Sequence, residues 1–113
     1  MQEITYEQVK NFLIITSFGF IPGQGEISFP IIQRIHRRLQ QGHRFDPIKV
    51  TADGIISDGH HRYVCLSILG IEIKTTKAAK NHNQNTYQWD KICLETKDYD
   101  SLAKIKNFEL KYD

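Results

Sequence analysis

Cysteine is scarce in this sequence, and its placement suits neither a covalent cross-link nor a metal site. The two cysteines, Cys65 and Cys93, lie 28 positions apart and neither belongs to a C-x-x-C pattern. A disulfide framework and a cysteine zinc site are therefore not supported. A reducing compartment fits best, so we expect a cytoplasmic protein. A protein that a dedicated secretion machine exports as an effector would have the same composition.

Long hydrophobic runs are also missing. No stretch of 18 apolar residues occurs, and the first residues lack a basic segment followed by an apolar run of signal-peptide length. We therefore expect no membrane partner. The 113 residues, of which 40% are hydrophobic and 25% charged, have the composition of an ordinary folded protein. This length predicts a single domain over residues 1–113.

Negative charge is absent from one part of the chain. No Asp or Glu occurs from Ile27 to Phe45, and all five arginines fall between positions 34 and 62. The net charge of +2 does not by itself predict a nucleic-acid partner. Three arginines on one helix face, Arg34, Arg37 and Arg38, can extend a positive field toward a nucleic-acid backbone. The alternative is that they form an ordinary solvated helix face.

Apolar periodicity predicts an α+β domain. Helical spacing indicates one helix from an N-cap at Ser28 to Gly42 and another from His60 to Leu69. Alternation of apolar and polar residues predicts a hairpin between them, with strands over 48–51 and 55–57. A further strand is expected over 71–75.

The two ends of the chain are less regular. A polar loop over 80–86 precedes a predicted late strand over 89–94 and a short helix over 101–105. Near the N-terminus, Thr5 and Gln8 have the spacing of a capping box, which favours a helix. The apolar run over 12–16 fits a buried strand equally well, so both structures stay open there.

The stretch Asp58-Gly59-His60-His61-Arg62 places three potential cations in the first turn of a helix. Each cation costs about 0.3–1 kcal/mol there, because a helix N-terminus is itself partly positive. A phosphate bound to the free N–H groups would remove this cost, with Gly59, His60, His61 and Arg62 as its binding residues. Alternatively, Asp58 is only an N-cap and the histidines are neutral surface residues.

Three of these side chains also suit phosphoryl chemistry. Asp58, at a strand end, can accept a proton from an attacking hydroxyl or water, or hold a magnesium ion together with a substrate phosphate. His61 is a candidate acid or base, and Arg62 would stabilise phosphoryl charge. Glu26, in a glycine-rich loop, is a second candidate base and a second candidate ligand for that magnesium ion, or an acid in the first turn of the next helix.

The segment from Ile31 to Ile73 resembles the ParB/sulfiredoxin superfamily, which has a G-x-x-R signature at a helix start. Gly59-His60-His61-Arg62 matches that signature. The D-G-H-H-R string is similar to that of free-serine kinases and ParB-like nuclease domains. The tail, with Trp89 and Asp98-Tyr99-Asp100, resembles the end of ParB-like domains at the C-termini of bacterial polymorphic toxins.

Two departures from the superfamily narrow the expected activities. His60 stands where sulfiredoxin has its reactive cysteine, so sulfinic acid reduction is not expected. Chromosome-partitioning ParB proteins carry a G-E-R-R string and a helix-turn-helix domain downstream, and the 51 residues after Arg62 are too few for that domain.

The resemblance implies a phosphate-binding domain, and we expect a nuclease that hydrolyses nucleic-acid phosphodiesters, in a toxin or effector with an immunity protein as partner. The basic helix favours this nucleic-acid substrate. One alternative is a nucleotide-dependent phosphotransferase that resembles the free-serine kinases and uses ATP or ADP with Mg²⁺. Another is a binding module for nucleotides or nucleic acid that has no activity.

Overall fold

Helices and short strands alternate along residues 2–79 and 84–112, which the computed structural model describes. The helices are α1 (Tyr6–Ile15), α2 (Phe29–Gln40), α3 (His60–Leu69) and α4 (Leu102–Tyr112). The strands are β1 (Glu26–Ser28), β2 (Ile48–Val50), β3 (Ile56–Asp58), β4 (Thr75–Lys77) and β5 (Cys93–Glu95), and a 3₁₀ helix covers Trp89–Lys91. This arrangement confirms the predicted α+β class.

The strands form two small sheets. In the larger one β2 is central, antiparallel to β3 and parallel to β4. In the smaller one β1 runs parallel to β5, with Ile27 opposite Leu94. A bridge between Ile21 and Ile55 joins the loop before β1 to the turn before β3. This bridge brings the segment before α2 close to the start of α3.

The core lies where α2 packs against α3, and α3 also contacts β1 and β2. The apolar face predicted for α2 is buried there, with Ile32 fully inaccessible and Ile35 and Leu39 nearly so. Val64 and Cys65 of α3 are also inaccessible. Each such side chain stabilises the fold by about 1.5–3 kcal/mol relative to an exposed position. The two helices are therefore fixed relative to each other, and with them the loop that precedes each one.

The central predictions are confirmed and the N-terminal ambiguity is settled. The hairpin of β2 and β3 and the bounds of α3 agree with the predicted positions. The first segment is the helix α1, which begins with a capping box in which Gln8 N donates to Thr5 Oγ1 at 3.2 Å. The run over 12–16 that fitted a buried strand contains Ile14 and Ile15, which are 55% and 80% exposed.

The strand predicted over 71–75 is wrong in position, since β4 covers Thr75–Lys77. Ile71 donates its backbone N–H to Leu66 at the end of α3, so this residue completes a helix end and cannot pair as a strand. Pairing with β2 starts only where Ile48 N donates to Lys74 O at 2.9 Å. Ile71 and Ile73 still pack against the core, which explains their alternation.

The C-terminal region also differs from its prediction. The late strand is divided into the 3₁₀ helix and β5, because Trp89 turns inward and donates its indole N–H to Phe20 O. The closing helix is longer than predicted and runs to Tyr112. Residues 80–83 of the predicted polar loop lie outside the described residues. None of the helices in the described part of the chain combines the length and apolar character that a bilayer crossing requires.

Candidate functional site

The turn between β3 and α3 requires a glycine. Gly59 has φ +103°, in the left-handed region that other residues rarely adopt. A Cβ atom at this position would lie 2.8 Å from both Arg62 Nη2 and Ile48 Cδ1. Gly59 therefore lets the chain turn into α3 while the guanidinium of Arg62 folds back over the backbone.

The first turn of α3 has free backbone donors. Tyr63 N donates to Gly59 O at 2.8 Å, which is the first backbone bond of the helix. The N-cap is Gly59, which has no side chain to accept a hydrogen bond. Within residues 2–79 and 84–112, no acceptor meets the N–H groups of His60, His61 and Arg62. Three donors at the positive end of the helix are thus available to an anion.

The two histidines of the motif are held by hydrogen bonds to backbone N–H groups. His60 Nε2 accepts from Gly23 N, and His61 Nε2 accepts from Ser28 N, each at 2.9 Å. An accepting Nε2 means that the neutral ring carries its hydrogen on Nδ1. Burial lowers the pKa of each histidine to about 4, which agrees with neutral rings.

These bonds change the charge expected at the start of α3. The sequence suggested three cations there, and at neutral pH the structure leaves one, Arg62. The cost of cations at a helix N-terminus is therefore smaller than the sequence implied. The histidines tie the loop before β1 and the start of α2 to α3. Their Nδ1–H groups are the donors that remain for a ligand.

Arg62 has few partners for its five donors. Its Nη2 lies 3.3 Å from Asp58 Oδ2 and 3.4 Å from Pro47 O, both long for hydrogen bonds to a guanidinium. Its Nε atom is buried and has no hydrogen-bond partner among residues 2–79 and 84–112. A buried donor without an acceptor is costly, and a bound anion would remove that cost.

Asp58 does not cap α3. It is the last residue of β3, and its carboxylate pairs with Arg62 in the (i, i+4) relationship. The Asp58 side chain is 60% exposed, so the carboxylate is accessible to solvent and substrate. The alternative in which Asp58 is an N-cap is therefore wrong, because Gly59 occupies that position.

The start of α3 opens into a cavity of about 360 Å³. Its lining includes Asp58, Gly59, His60, His61, Arg62, Ile31, Ile35, Tyr99, Asp100 and Lys104. Lys104 was not predicted as a site residue, and it has no ion-pair partner among the residues described. Two cations, three free N–H groups and an exposed carboxylate therefore meet in one cavity.

Glu26 stands outside this cavity. Its carboxyl group is hydrogen-bonded to that of Glu95, and this neighbour raises the pKa of Glu26 above its usual value. Tyr99, which lines the cavity, donates its hydroxyl hydrogen to Glu95. The Tyr99 ring also meets His61 edge-on, with centroids 6.0 Å apart. The Glu26 side chain is therefore linked to the cavity through Glu95 and Tyr99 and does not line it.

Arg34 is held in an ion-pair network. Its Nη1 and Nη2 donate to the two carboxylate oxygens of Asp98 at 2.6 and 2.9 Å, and Nη2 also donates to Asp100 at 3.0 Å. The side chain is only 11% exposed. The neighbouring charges raise the pKa of Arg34 and lower that of Asp98.

The other two arginines of α2 are also paired. Arg37 binds Glu3, with Nε 2.9 Å from Oε1, and both side chains are partly exposed. Arg38 binds Glu109 and Gln41 and is nearly buried. Arg34 and Arg38 therefore belong to neither the free cationic face nor the solvated face that the sequence allowed, whereas Arg37 stays partly exposed in its ion pair. Their acidic partners come from both ends of the chain, far away in sequence.

Three comparisons with known proteins identify no relative. The chain matches no family model, no curated protein and no solved structure. The resemblance to the ParB/sulfiredoxin superfamily thus rests on the D-G-H-H-R string and its position at the start of α3, and it stays a prediction.

Proposed function

We propose that this domain binds the phosphate group of a small phosphoester at the start of α3 and acts on that ester. The observation that carries the proposal is the convergence of unused donors on one cavity. The free N–H groups of residues 60–62 and the incompletely bonded guanidinium of Arg62 are the two parts of a phosphate site. Lys104 adds a second positive charge at the edge of the cavity.

The proposed chemistry assigns different roles to Asp58 and His61. Asp58, whose side chain is mostly exposed at the edge of the cavity, is the candidate base that accepts a proton from the attacking hydroxyl or water. His61 is neutral, so it donates a hydrogen bond through Nδ1 and does not act as a general acid. Arg62 compensates the charge that develops on the phosphoryl oxygens.

A magnesium ion fits this proposal only as a partner of the substrate. In the described ranges, no three His, Cys, Asp or Glu side chains converge as a metal site. Mg²⁺ is commonly held by one or two carboxylates together with substrate phosphates. Asp58 is the carboxylate that would hold it here, because Asp100 is already bound to Arg34.

The ion pairs of α2 favour a small phosphoester over a polymer. A phosphotransferase that uses ATP or ADP, or a nucleotide hydrolase, needs only the cavity and its cations. Binding to a nucleic-acid backbone needs a row of available cations, and Arg34 and Arg38 are nearly buried in ion pairs. We therefore rank nucleotide chemistry above the nuclease activity that the sequence favoured.

One observation still supports a nuclease as the second candidate. Arg37 and Glu3 are 36% and 49% exposed, and an exposed ion pair contributes little to stability. A nucleic-acid phosphate can replace Glu3 at small cost. In this case Arg37 would guide a strand toward the cavity, and the same phosphate site would hold the scissile group.

The proposal is tested by titrating the ¹⁵N-labelled protein with inorganic phosphate and following its amide signals. We expect saturable shifts at residues 60–62, and we expect Arg62→Met to weaken binding by about tenfold or more. The start of α1 is the matched control, because it is a helix N-terminus outside this cavity and Thr5 already accepts from Gln8 N. Shifts of equal size at residues 6–8, or no saturation at residues 60–62, would overturn the phosphate site.

A further inference from the structure

Tyr99 is a hydroxyl-bearing side chain in the cavity that the proposed chemistry does not use. It lines the cavity at the start of α3 together with His61 and Arg62. The residue is 38% exposed, so it is not part of the core. Its ring meets the His61 ring edge-on, with centroids 6.0 Å apart. The phenol group therefore stands beside a residue whose backbone N–H belongs to the proposed phosphate site.

The segment that carries Tyr99 is fixed on both sides. Its two neighbours, Asp98 and Asp100, both bind Arg34, with N–O distances of 2.6 and 3.0 Å. The Arg34 side chain is itself only 11% exposed and belongs to α2. A reacting group that the protein holds in place before the ligand arrives loses little freedom during the reaction. Tyr99 is held in this way although it is exposed.

The Tyr99 hydroxyl has a base within hydrogen-bond reach. Its Oη donates to Glu95 Oε1, and the Glu95 carboxyl group is bonded in turn to that of Glu26 across the pairing of β1 and β5. Burial raises the pKa of Tyr99, and the hydrogen bond from Tyr99 lowers the pKa of Glu95. The proton thus rests on the phenol beside a carboxylate that can accept it. A nucleophile bonded to a base that a third group orients is the arrangement used in covalent catalysis.

A second exposed tyrosine lacks this arrangement. Tyr87 is 40% exposed, close to the value for Tyr99. It does not line the cavity at the start of α3, and no carboxylate among residues 2–79 and 84–112 accepts from its hydroxyl group. Exposure of a tyrosine in this fold therefore does not by itself bring a base to it.

We infer that Tyr99 is the nucleophile that attacks the bound phosphoester and carries the phosphoryl group as phosphotyrosine. This inference rests on the proposed function and adds to it a covalent step and a modified residue. Tyr99 Oη forms a bond to phosphorus, and the bond from phosphorus to the ester oxygen breaks. The phenol proton passes to Glu95, and the released ester oxygen takes a proton from water.

Water completes the reaction and returns the protein to its first state. The water oxygen bonds to phosphorus, the bond to Tyr99 Oη breaks, and inorganic phosphate leaves. Asp58 accepts the proton of this water and passes it to solvent, which replaces the proton that the ester oxygen took. Glu95 returns its proton to the Tyr99 phenolate. Two carboxylates thus serve two steps, and nothing is oxidised or reduced.

Mass spectrometry of the full chain after incubation with a phosphoester tests the inference. The probes are p-nitrophenyl phosphate, an aryl ester, and glycerol phosphate, an alkyl ester. We expect one added phosphoryl group, which tandem mass spectrometry of peptides locates on Tyr99. In Asp58→Asn the release of this group should be slower by about 10²–10⁴-fold, because the base for water is missing. Phosphotyrosine should therefore accumulate in that variant.

Three variants isolate the tyrosine and its base. Tyr99→Phe keeps the ring beside His61 and should carry no phosphoryl group. Glu95→Gln keeps an acceptor for the Tyr99 hydroxyl and cannot take its proton, so modification should be slower by about 10²–10⁴-fold. Tyr87→Phe is the matched control and should be modified like the wild type. Should Tyr99→Phe fail to fold, Glu95→Gln provides the measurement.

The outcomes separate this inference from the proposed function. If inorganic phosphate binds at residues 60–62 and neither ester modifies Tyr99 in the wild type or in Asp58→Asn, the nucleophile is wrong and the phosphate site stands. Equal modification of Tyr87 and Tyr99 would also overturn the inference. If Tyr99 is modified although inorganic phosphate does not bind at residues 60–62, the phosphate site is wrong and the nucleophile stands. If neither binding nor modification occurs, both are wrong.

Discussion

Arg34 on α2 and Arg62 at the start of α3 have the same side chain in opposite surroundings. Arg34 makes three hydrogen bonds of 2.6–3.0 Å to two carboxylates. Arg62 makes two long contacts from a single nitrogen, and its buried Nε meets no acceptor in the described part of the chain. The comparison teaches that the number of arginines in a segment does not determine its binding capacity. The acidic residues that tertiary structure brings to each arginine determine it.

The largest expected effect concerns chemistry at the start of α3. Asp58→Asn should lower turnover of the phosphoester substrate by about 10²–10⁴-fold, because it removes the proposed base and keeps the shape. The melting temperature should stay the same, since the Asp58 side chain is mostly exposed. Steady-state rates and thermal unfolding of the same samples check this prediction. Turnover near the wild-type value would show that Asp58 is not the base, and the proposed chemistry at the start of α3 would be wrong.

The next effect is the pH dependence of stability, which we expect to come from the two buried histidines at the start of α3. His60 and His61 have pKa values of about 4 in the folded protein and about 6.5 when unfolded. The unfolded chain therefore binds protons first as the pH falls. Stability should be complete above pH 6.5 and decrease down to about pH 4, by on the order of 3 kcal/mol per histidine.

Denaturant unfolding between pH 7.5 and 4.5 measures this loss. His61→Gln keeps an acceptor for Ser28 N and removes the titrating ring, so its stability should fall less steeply with pH. His43, which lies outside the motif, provides the control substitution His43→Gln. An equally steep curve for His61→Gln would show that this histidine does not titrate as its burial implies.

The third prediction is that substitution of Arg34 mainly lowers stability, whereas substitution of Arg62 mainly weakens phosphate binding. Arg34→Met should reduce the free energy of unfolding by about 2–4 kcal/mol, because it leaves Asp98 and Asp100 partly buried without their cation. Arg62→Met should cost less than about 1 kcal/mol and should weaken phosphate binding instead. Chemical denaturation and calorimetry on both variants test this exchange. If Arg34→Met is as stable as the wild type, the network on α2 contributes little and the comparison fails.

The smallest effect concerns salt. If the arginines of α2 stay in their ion pairs, binding of single-stranded DNA should depend weakly on salt, and Arg37→Ala should change the slope of log affinity against log salt by less than about 0.3. A contact to the backbone would change that slope by about 0.7 per arginine. Fluorescence anisotropy at several salt concentrations measures it. A change of that larger size would restore the nuclease as the first candidate.

Local sequence was sufficient to predict much of the fold. The capping box, the apolar face of α2 and the glycine after α3 act within a few residues, so their consequences follow from spacing alone. The position of β4 could not be predicted in this way. It depends on which residue of β2 lies opposite, and pairing begins at Lys74 because the preceding residues complete the end of α3.

The site was predictable in part for a similar reason. Asp58, Gly59 and Arg62 are close in sequence, and their motif placed them correctly at the start of a helix. The acceptor role of the histidines depends on Gly23 and Ser28, more than 30 positions earlier. Lys104 enters the cavity through tertiary packing of α4 and belongs to no motif. The acids of the 98–100 segment were the available signal, since they supply negative charge that the α2 region lacks.

The ion pairs of α2 also have a consequence for synthesis of the chain. Arg34 and Asp98 are 64 positions apart, and Arg38 and Glu109 are 71 apart. At about 5–20 residues per second, the acids leave the ribosome roughly 3–14 seconds after the arginines that they neutralise. During this interval Arg34 and Arg38 lack the acidic partners that the folded domain gives them. These two ion pairs therefore form only after residues 98–109 have been synthesised, and the buried face of α2 is completed last.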